Sequence, residues 1–268
     1  MAFDPGARIP DPGPRPMILA TYSLWKRDVI RFLRQPSRVV GALLTPVIFW
    51  FVIGSGLGSS FQGNPQGLPP LGFLPYYFPG SLALIVLFTA IFSTISIIED
   101  RQEGFLQGVL ASPAPRAAIV LGKALGSTTL AVLNGLVFLL LLPFSGLSPS
   151  AGDVAASIAC VALLGLALSG LGIMIAWPLR STQGFHAIMN VALVPMWLLS
   201  GALFPATGAA HWVQVLMRLN PLTPAVEILR AFLTGAPAEN LASAAGTVAL
   251  FALVTLSIST LLVSRPSQ

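Results

Sequence analysis

Charged residues are scarce in this sequence. Only 9% of its 268 residues are charged, while 55% are hydrophobic. Soluble domains carry about 25% charged residues. No residue from Val39 to Ile98 is formally charged, and none from Ala124 to Gly152 is either. This deficit excludes an ordinary soluble globular domain and indicates an integral membrane protein.

Long apolar runs take up most of the chain. Six of them, each of about 20 residues, could cross a ~30 Å hydrocarbon core as helices. They lie near Val39–Leu57, Phe78–Ile98, Ala118–Leu142, Val154–Trp177, Phe185–Phe204 and Gly246–Val263. The sequence therefore predicts an all-α membrane protein with six transmembrane helices.

The basic residues indicate how these helices are oriented. All but two of the 14 lysines and arginines lie before the first run, between runs two and three or at the start of run three, between runs four and five, or after the sixth. The exceptions are Arg218 and Arg230. Because basic residues concentrate on the cytoplasmic side of a membrane, we expect both termini in the cytoplasm.

Two different segments precede the first apolar run. Residues 1–16 are rich in proline, which blocks helix and offers no core, so we expect a disordered tail. In residues 17–35, apolar side chains recur at three- and four-residue steps among Lys26, Arg27 and Arg31. This pattern predicts an amphipathic helix in the membrane interface. Residues 17–268 would then form a single transmembrane domain.

The connection between runs five and six is too long for a simple turn. Residues 205–245 contain two short helical stretches, His211–Leu219 and Ala225–Leu233, separated by Asn220–Pro224. Stretches of this length cannot span a bilayer. They fit a re-entrant helical hairpin that enters from the outer side and returns, with its broken backbone buried against protein.

Residues for catalysis or for binding metals are few. The single cysteine, Cys160, cannot form a disulfide within the chain. The nearest approach to a Walker A phosphate loop, at Gly122 and Lys123, has Ala117 for its first glycine and Ala124 for the serine or threonine. We therefore predict no catalytic residue, no cofactor and no metal in this chain. Nucleic acid is not expected as a partner, because the basic residues flank apolar runs.

A charged segment, residues 99–116, interrupts the apolar sequence. Charge is costly inside a bilayer, so this segment must lie in water or against a soluble partner. Glu99–Glu103 can extend the second helix, Gly104 can interrupt it, and Phe105–Ala111 can form a short amphipathic helix. The residues alone leave two alternatives open: a helix gripped by a soluble subunit, or a plain interfacial loop.

Three motifs in this sequence resemble those of a known family. The first joins Glu99–Gly104 with Leu110–Pro113 and Leu121–Lys123, the second is Ser200–Pro205, and the third is Asn220–Arg230. Their order and places resemble the membrane-spanning permease subunits of type-2 ABC exporters, in particular the drug-resistance and nodulation-factor exporters. The resemblance covers about residues 17–263.

The resemblance implies the transmembrane subunit of an ATP-driven exporter. Its cargo would be an amphipathic small molecule, or a lipid-like or glycan molecule, moved out of the cytoplasm or inner leaflet. Two copies, as a homodimer surrounded by membrane lipid, would bind two separate ABC ATP-binding subunits that hold ATP and Mg. The chain itself would not be an enzyme. Its location would be the inner membrane of a prokaryotic cell.

The resemblance also implies which residues act. Within the cytoplasmic coupling loop, contact with the ATP-binding subunit is expected at Glu99, Asp100, Arg101, Glu103, Gly104, Phe105, Leu106, Leu110, Pro113 and Arg116. An outer gate is expected at Phe204, Asn220, Pro221, Thr223, Glu227 and Arg230. Helices one, two and five would line the path. The alternative is a self-contained, ion-coupled secondary transporter, although the notable polar residues inside the runs are only Asn134 and Asn190.

Overall fold

The protein is helical wherever its structure is described. The computed structural model describes residues 14–56, 72–112, 114–206, 209–237 and 240–265. In chain order the helices are α1 (Pro14–Leu33), α2 (Pro36–Gly56), α3 (Phe73–Ser93), α4 (Ser96–Gln102), α5 (Phe105–Ala111), α6 (Arg116–Leu139), α7 (Leu142–Ser145), α8 (Ala151–Ala176), α9 (Thr182–Leu198), α10 (His211–Leu219), α11 (Thr223–Thr234) and α12 (Leu241–Ser264). The predicted all-α class is confirmed over these ranges.

Four of the described helical segments are long and apolar enough to cross a membrane. They are α3 together with α4, α6, α8 and α12. The apolar part of α2, Leu43–Gly56, is shorter, and α9 has 17 residues. These helices support a multi-pass membrane protein. The count of six spans and the re-entrant placement of α10 and α11 stay predictions.

Several helices begin earlier than the sequence indicated, and α1 and α3 show why. Helix α1 starts at Pro14, so the last residues of the predicted tail are helical, while residues 1–13 lie outside the described ranges. Helix α3 starts at Phe73 rather than Phe78. Proline is tolerated in the first turn because an amide there needs no partner inside the helix, and Pro75 occupies such a position in α3.

Helix α3 lies at the centre of the fold. Most of its side chains are buried, and it packs against α2, α6, α8 and α11. An aromatic cluster joins three of these helices: the Phe78 ring stacks on Phe138 at 4.6 Å, and Trp50 meets Phe78 edge-on at 5.4 Å. The core therefore surrounds α3 and fixes its continuation into α4.

Small residues on α8 allow neighbouring helices to approach closely. A Cβ atom at Gly172 would lie 2.7 Å from Thr94 Oγ1, and one at Gly170 would lie 2.5 Å from Thr255 Oγ1. The hydroxyl of Thr255 also donates a hydrogen bond of 3.0 Å to the carbonyl of Ala167. Glycine is thus required where α8 contacts α3 and α12, in line with the role of small residues in membrane helix packing.

Candidate functional site

The site begins where α1 packs against α6. Two glycines one turn apart on α6 leave room for α1: a Cβ atom at Gly122 would lie 2.8 Å from Leu24 Cβ, and one at Gly126 would lie 3.3 Å from Asp28 Cβ. Such a pair of small residues lets two helix backbones come close together. This close approach brings the carboxylate of Asp28 to the ammonium of Lys123.

Lys123 is a buried cation with three partners. Its side chain is only 2% exposed. The ammonium donates to Asp28 Oδ1 at 3.1 Å, to Ser96 Oγ at 3.1 Å and to Asp100 Oδ2 at 2.5 Å. Because a buried charge is stable only when paired and hydrogen-bonded, these contacts hold α1, α4 and α6 together.

Two arginines of α1 also bind the carboxylate of Asp100. Arg27 binds the Asp100 carboxylate in bidentate fashion, with distances of 3.0 and 2.6 Å. Arg31 donates to Asp100 Oδ1 at 2.9 Å and to Glu103 Oε1 at 2.7 Å, and its Nη2 lies 3.4 Å from Glu99 Oε2. We call the whole set the charge cluster: Arg27, Asp28, Arg31, Glu99, Asp100, Glu103 and Lys123.

The charge cluster changes the acid–base properties of its α1 members. The hydrogen bond to Asp100 raises the pKa of the Arg27 guanidinium above its usual value. Burial raises the pKa of the Asp28 carboxyl, an effect that the ammonium of Lys123 opposes. Arg27 therefore stays charged, and the ammonium of Lys123 is the chief group that favours the ionised form of Asp28.

Helix α5 packs against the charge cluster through the ring of Phe105. Gly104, with φ +78°, separates α4 from α5 in the left-handed conformation that favours glycine. The guanidinium of Arg27 lies 3.6 Å from the centre of the Phe105 ring, and Leu106 is buried. Gln107 and Gly108 lie on the exposed side of the helix. The short helix thus has a fixed inner face and an outer face open to a partner.

A second set of contacts joins α4 to the connection between α8 and α9. Arg101 donates hydrogen bonds to the carbonyls of Leu179 at 2.8 Å and Trp177 at 2.7 Å. Gln102 donates to the carbonyl of Arg180 at 2.9 Å. The two connections that the sequence assigned to the cytoplasmic side therefore lie against each other at the same end of the molecule.

The predicted contact residues of the coupling loop are not all accessible. Asp100 and Leu106 are buried, whereas Glu103 and Phe105 are exposed. The half-buried members are Glu99, Arg101, Gly104, Leu110 and Arg116. Pro113 lies outside the described residues. Asp100 and Leu106 hold the loop in place, and the contact with another subunit stays a prediction for the exposed residues.

Sequence reasoning missed the part that other helices contribute to this site. The sequence places Arg27 on the polar face of α1 and Lys123 in a family motif and an incomplete phosphate loop, and it gives no role to Asp28. One signal was present: Lys123 is the only charged residue between Arg116 and Asp153. A lone charge within an apolar helix requires a partner of opposite sign.

At the other end of the molecule, α10 and α11 are tied to α9 and α3. Arg230 donates to the carbonyl of Gly201 at 2.7 Å, and its guanidinium lies 4.3 Å from the centre of the Tyr76 ring. Thr223 Oγ1 donates to the carbonyl of Met217 at 2.6 Å, and Asn220 donates to the carbonyl of Met196. The remaining predicted gate residues are Phe204 and Pro221, both half-buried, and Glu227, which is exposed.

A cavity of about 470 Å³ runs between α1, α2, α3, α6 and α9. From Leu84 to Glu99 its wall follows α3 and α4 over 15 residue steps, a rise of about 22 Å at 1.5 Å per residue. The wall is largely apolar and aromatic around Phe88, and it ends in the charge cluster at Glu99 and Asp28. Ligand pockets usually measure about 300–1,000 Å³, so the cavity is large enough for a small amphipathic molecule.

Comparison with known proteins identifies the class. The model of the ABC-2 type transporter family matches residues 20–234, and the chain belongs to that family. It is an ABC transporter permease. The chain is similar to nodulation protein J of Rhizobium leguminosarum bv. viciae, at 26% identity over 91% of this chain and 93% of that protein.

Two further relatives are named as permeases. The putative transport permease ycf38 of Cyanophora paradoxa is 27% identical over 78% of this chain and 72% of that protein. The probable multidrug ABC transporter permease YbhR of Escherichia coli (strain K12) is 26% identical over 60% of this chain and 44% of that protein. The predicted family is thereby confirmed.

Proposed function

We propose that this permease is the transmembrane subunit of an ATP-driven exporter in the inner membrane of a prokaryotic cell. It would have six membrane-spanning helices and both termini in the cytoplasm. ATP and Mg would be held by two separate ATP-binding subunits. Family membership supports the permease part of this proposal, and the failed Walker A pattern supports a separate source of ATP hydrolysis.

The observation that carries the proposal is how α5 is attached to the neighbouring helices. Its inner face is fixed through Phe105 and Leu106, and the charge cluster joins the preceding α4 to α1 and α6. Asp100 and Lys123 are buried and multiply bonded, so a push on the outer face of α5 would move these helices together. Such a rigid connection is what a subunit driven by another protein requires.

The cavity supports an amphipathic cargo, whether a small molecule, a lipid-like molecule or a glycan. Its walls include α2, α3 and α9, which correspond to predicted spans one, two and five. The outward face of α9 exposes Ile188, Val191 and Val194, with Val191 77% exposed. We propose that a second copy of the permease covers this face in a homodimer, with membrane lipid around both copies.

The proposal is tested at Gly108, which lies on the outer face of α5. A Cβ atom added there meets nothing within 4 Å, so Gly108→Arg leaves the fold intact while obstructing the outer face. Tagged protein is purified from its native membranes in mild detergent, and mass spectrometry identifies what accompanies it. We expect an ATPase with a P-loop to co-purify with the unaltered chain and to be lost with Gly108→Arg.

Gly56→Arg is the matched control, because Gly56 is equally open and lies at the far end of α2. It should retain the ATPase. Absence of any such ATPase from the unaltered preparation in several detergents would overturn the proposal. If the ATPase co-purifies equally with Gly108→Arg and Gly56→Arg, α5 is not the helix to which it binds.

A further inference from the structure

We propose that the cavity binds an uncharged amphipathic molecule through a hydrogen-bond acceptor such as a ketone, ester or amide carbonyl. Three buried hydroxyl groups of the cavity wall, at Thr89, Ser96 and Ser127, would supply the donors. The inference rests on the proposed function in that it takes the cavity to hold the cargo. It adds the chemical group by which the cargo is recognised and the residues that recognise it.

The three hydroxyl groups follow the contact between α6 and the continuous segment formed by α3 and α4. Asn134 of α6 donates to Thr89 Oγ1 of α3 at 3.0 Å, and Lys123 of α6 donates to Ser96 Oγ of α4 at 3.1 Å. Ser127 lies four residues after Lys123, which places it on the same side of α6, between the two bonds. We call Thr89, Ser96 and Ser127 the hydroxyl row.

Each hydroxyl of this row has a hydrogen left to donate. Thr89 and Ser96 accept the two hydrogen bonds just given, and the described part of the chain offers no acceptor to their own O–H groups. Ser127 has no hydrogen-bond partner among the described residues. The exposed fractions of Thr89, Ser96 and Ser127 are only 2%, 8% and 4%. Because a buried polar group is stable only when hydrogen-bonded, the row requires acceptors inside the cavity.

The charged residues of the described cavity wall are already engaged in ion pairs. They are Asp28, Arg31 and Glu99. Asp28 accepts from the ammonium of Lys123 at 3.1 Å, and Arg31 lies 2.9 Å from Asp100 and 3.4 Å from Glu99. An ionised head group would therefore lack a counter-ion along the described wall, and burying an unpaired charge is costly. An uncharged acceptor carries no such cost.

Aromatic side chains cover the wall next to the hydroxyl row. Phe88 and Phe92 stack at 5.4 Å, and the ring of His186 stacks on Phe92 at 5.1 Å. Trp197 adds a further aromatic surface. Since Phe88 directly precedes Thr89 on α3, the apolar surface begins beside the donors. This arrangement suits a molecule whose alkyl chain adjoins its carbonyl group.

The test compares two uncharged probes that differ only in one carbonyl group. Tritiated 2-heptadecanone and heptadecane are equilibrated with the permease in nanodiscs, and binding to empty nanodiscs is subtracted. The lipid is an ether-linked phosphatidylcholine, because the ester carbonyls of ordinary lipids would compete for the same donors. Affinities are expressed per mole fraction of probe in the lipid, so that unequal partitioning cancels. We expect the ketone to bind about tenfold tighter than the hydrocarbon.

A third probe tests the requirement for an uncharged group. Heptadecane-1-sulfonate carries acceptor oxygens on a chain of the same length, but it is always ionised. It should bind about tenfold more weakly than the ketone. Sulfonate binding as tight as that of the ketone, or tighter, would overturn the inference.

Two matched serine variants locate the donor. Ser127→Ala removes a hydroxyl of the row and breaks no hydrogen bond within the described structure, so it should weaken the ketone about fivefold and leave heptadecane unchanged. Ser157→Ala is the control, because Ser157 Oγ is also buried without a described partner but lies outside the described cavity wall. It should leave both affinities unchanged. Alanine is favourable inside a helix, so both variants should fold.

Equal affinity for the ketone and the hydrocarbon would overturn the inference, since water would then satisfy the hydroxyl row. Equal shifts in Ser127→Ala and Ser157→Ala would overturn it too, as would the absence of saturable ketone binding. Co-purification of an ATPase is scored on the same membranes. An ATPase without preference for the ketone leaves the exporter proposal standing, and a preference without an ATPase leaves only the cavity inference.

Discussion

Removing the ammonium of Lys123 should destabilise the protein strongly. Lys123→Met keeps an unbranched side chain of similar length but leaves Asp28 and Asp100 without their shared cation. Asp100 is fully buried and Asp28 is 9% exposed, so water cannot replace the lost partner. Breaking a buried ion pair by removing one partner costs about 3–5 kcal/mol. The expected loss lies in that range.

The loss is measured by thermal unfolding of the purified protein in one detergent at one pH. With a shift of roughly 2 °C or more per kcal/mol for a domain of this size, the unfolding midpoint should fall by about 6 °C or more. Lys26→Met is the control, because it removes the same charge from an exposed position on α1. Its effect should stay within about 0.5 kcal/mol.

A double variant separates the missing charge from the changed shape. Lys123→Met together with Asp28→Asn removes one carboxylate along with the ammonium, so part of the lost stability should return. Recovery of about 1 kcal/mol or more relative to the sum of the single changes would show direct coupling. Equal midpoints for Lys123→Met and Lys26→Met, or strictly additive single effects, would refute the reasoning about the charge cluster.

Two further predictions concern helix contacts. Gly80→Ala would place a Cβ atom 2.7 Å from the backbone after α9, and should cost about 1–3 kcal/mol of unfolding free energy, whereas Gly246→Ala has open space and should not destabilise. Asn134→Leu removes a buried hydrogen bond of 3.0 Å to Thr89 and should cost about 1 kcal/mol, while Asn190→Leu alters an exposed position and should change little. Thermal unfolding in one detergent measures the stability of all four variants. Equal losses of stability within either pair would contradict the prediction for that pair.

Much of the fold was predictable because it depends on local composition. Apolar runs of about 20 residues become helices wherever a bilayer leaves no other partner for the backbone. The short stretches on either side of Asn220 were also placed correctly as α10 and α11. The first residues of helices were harder to predict, because a proline such as Pro14 or Pro75 can lie either in the first turn of a helix or before it.

The candidate site was predictable only in part. The segment that follows Ile98 stood out by its charge, and the break at Gly104 was expected from its sequence. Which side of α5 faces outward was not predictable, because that depends on the rotation of a seven-residue helix against α1. Asp100 was expected at a contact with another subunit and is instead fully buried within this chain.

The membrane class and the family follow from the order of residues alone. Hydropathy is a sum over neighbours along the chain, and the family motifs are short continuous segments, so neither needs a fold to be recognised. The pairing of Asp28 with Lys123 is different, since 95 positions separate them. It exists because Gly122 and Gly126 let α1 approach α6, a contact between distant segments that only the tertiary structure decides.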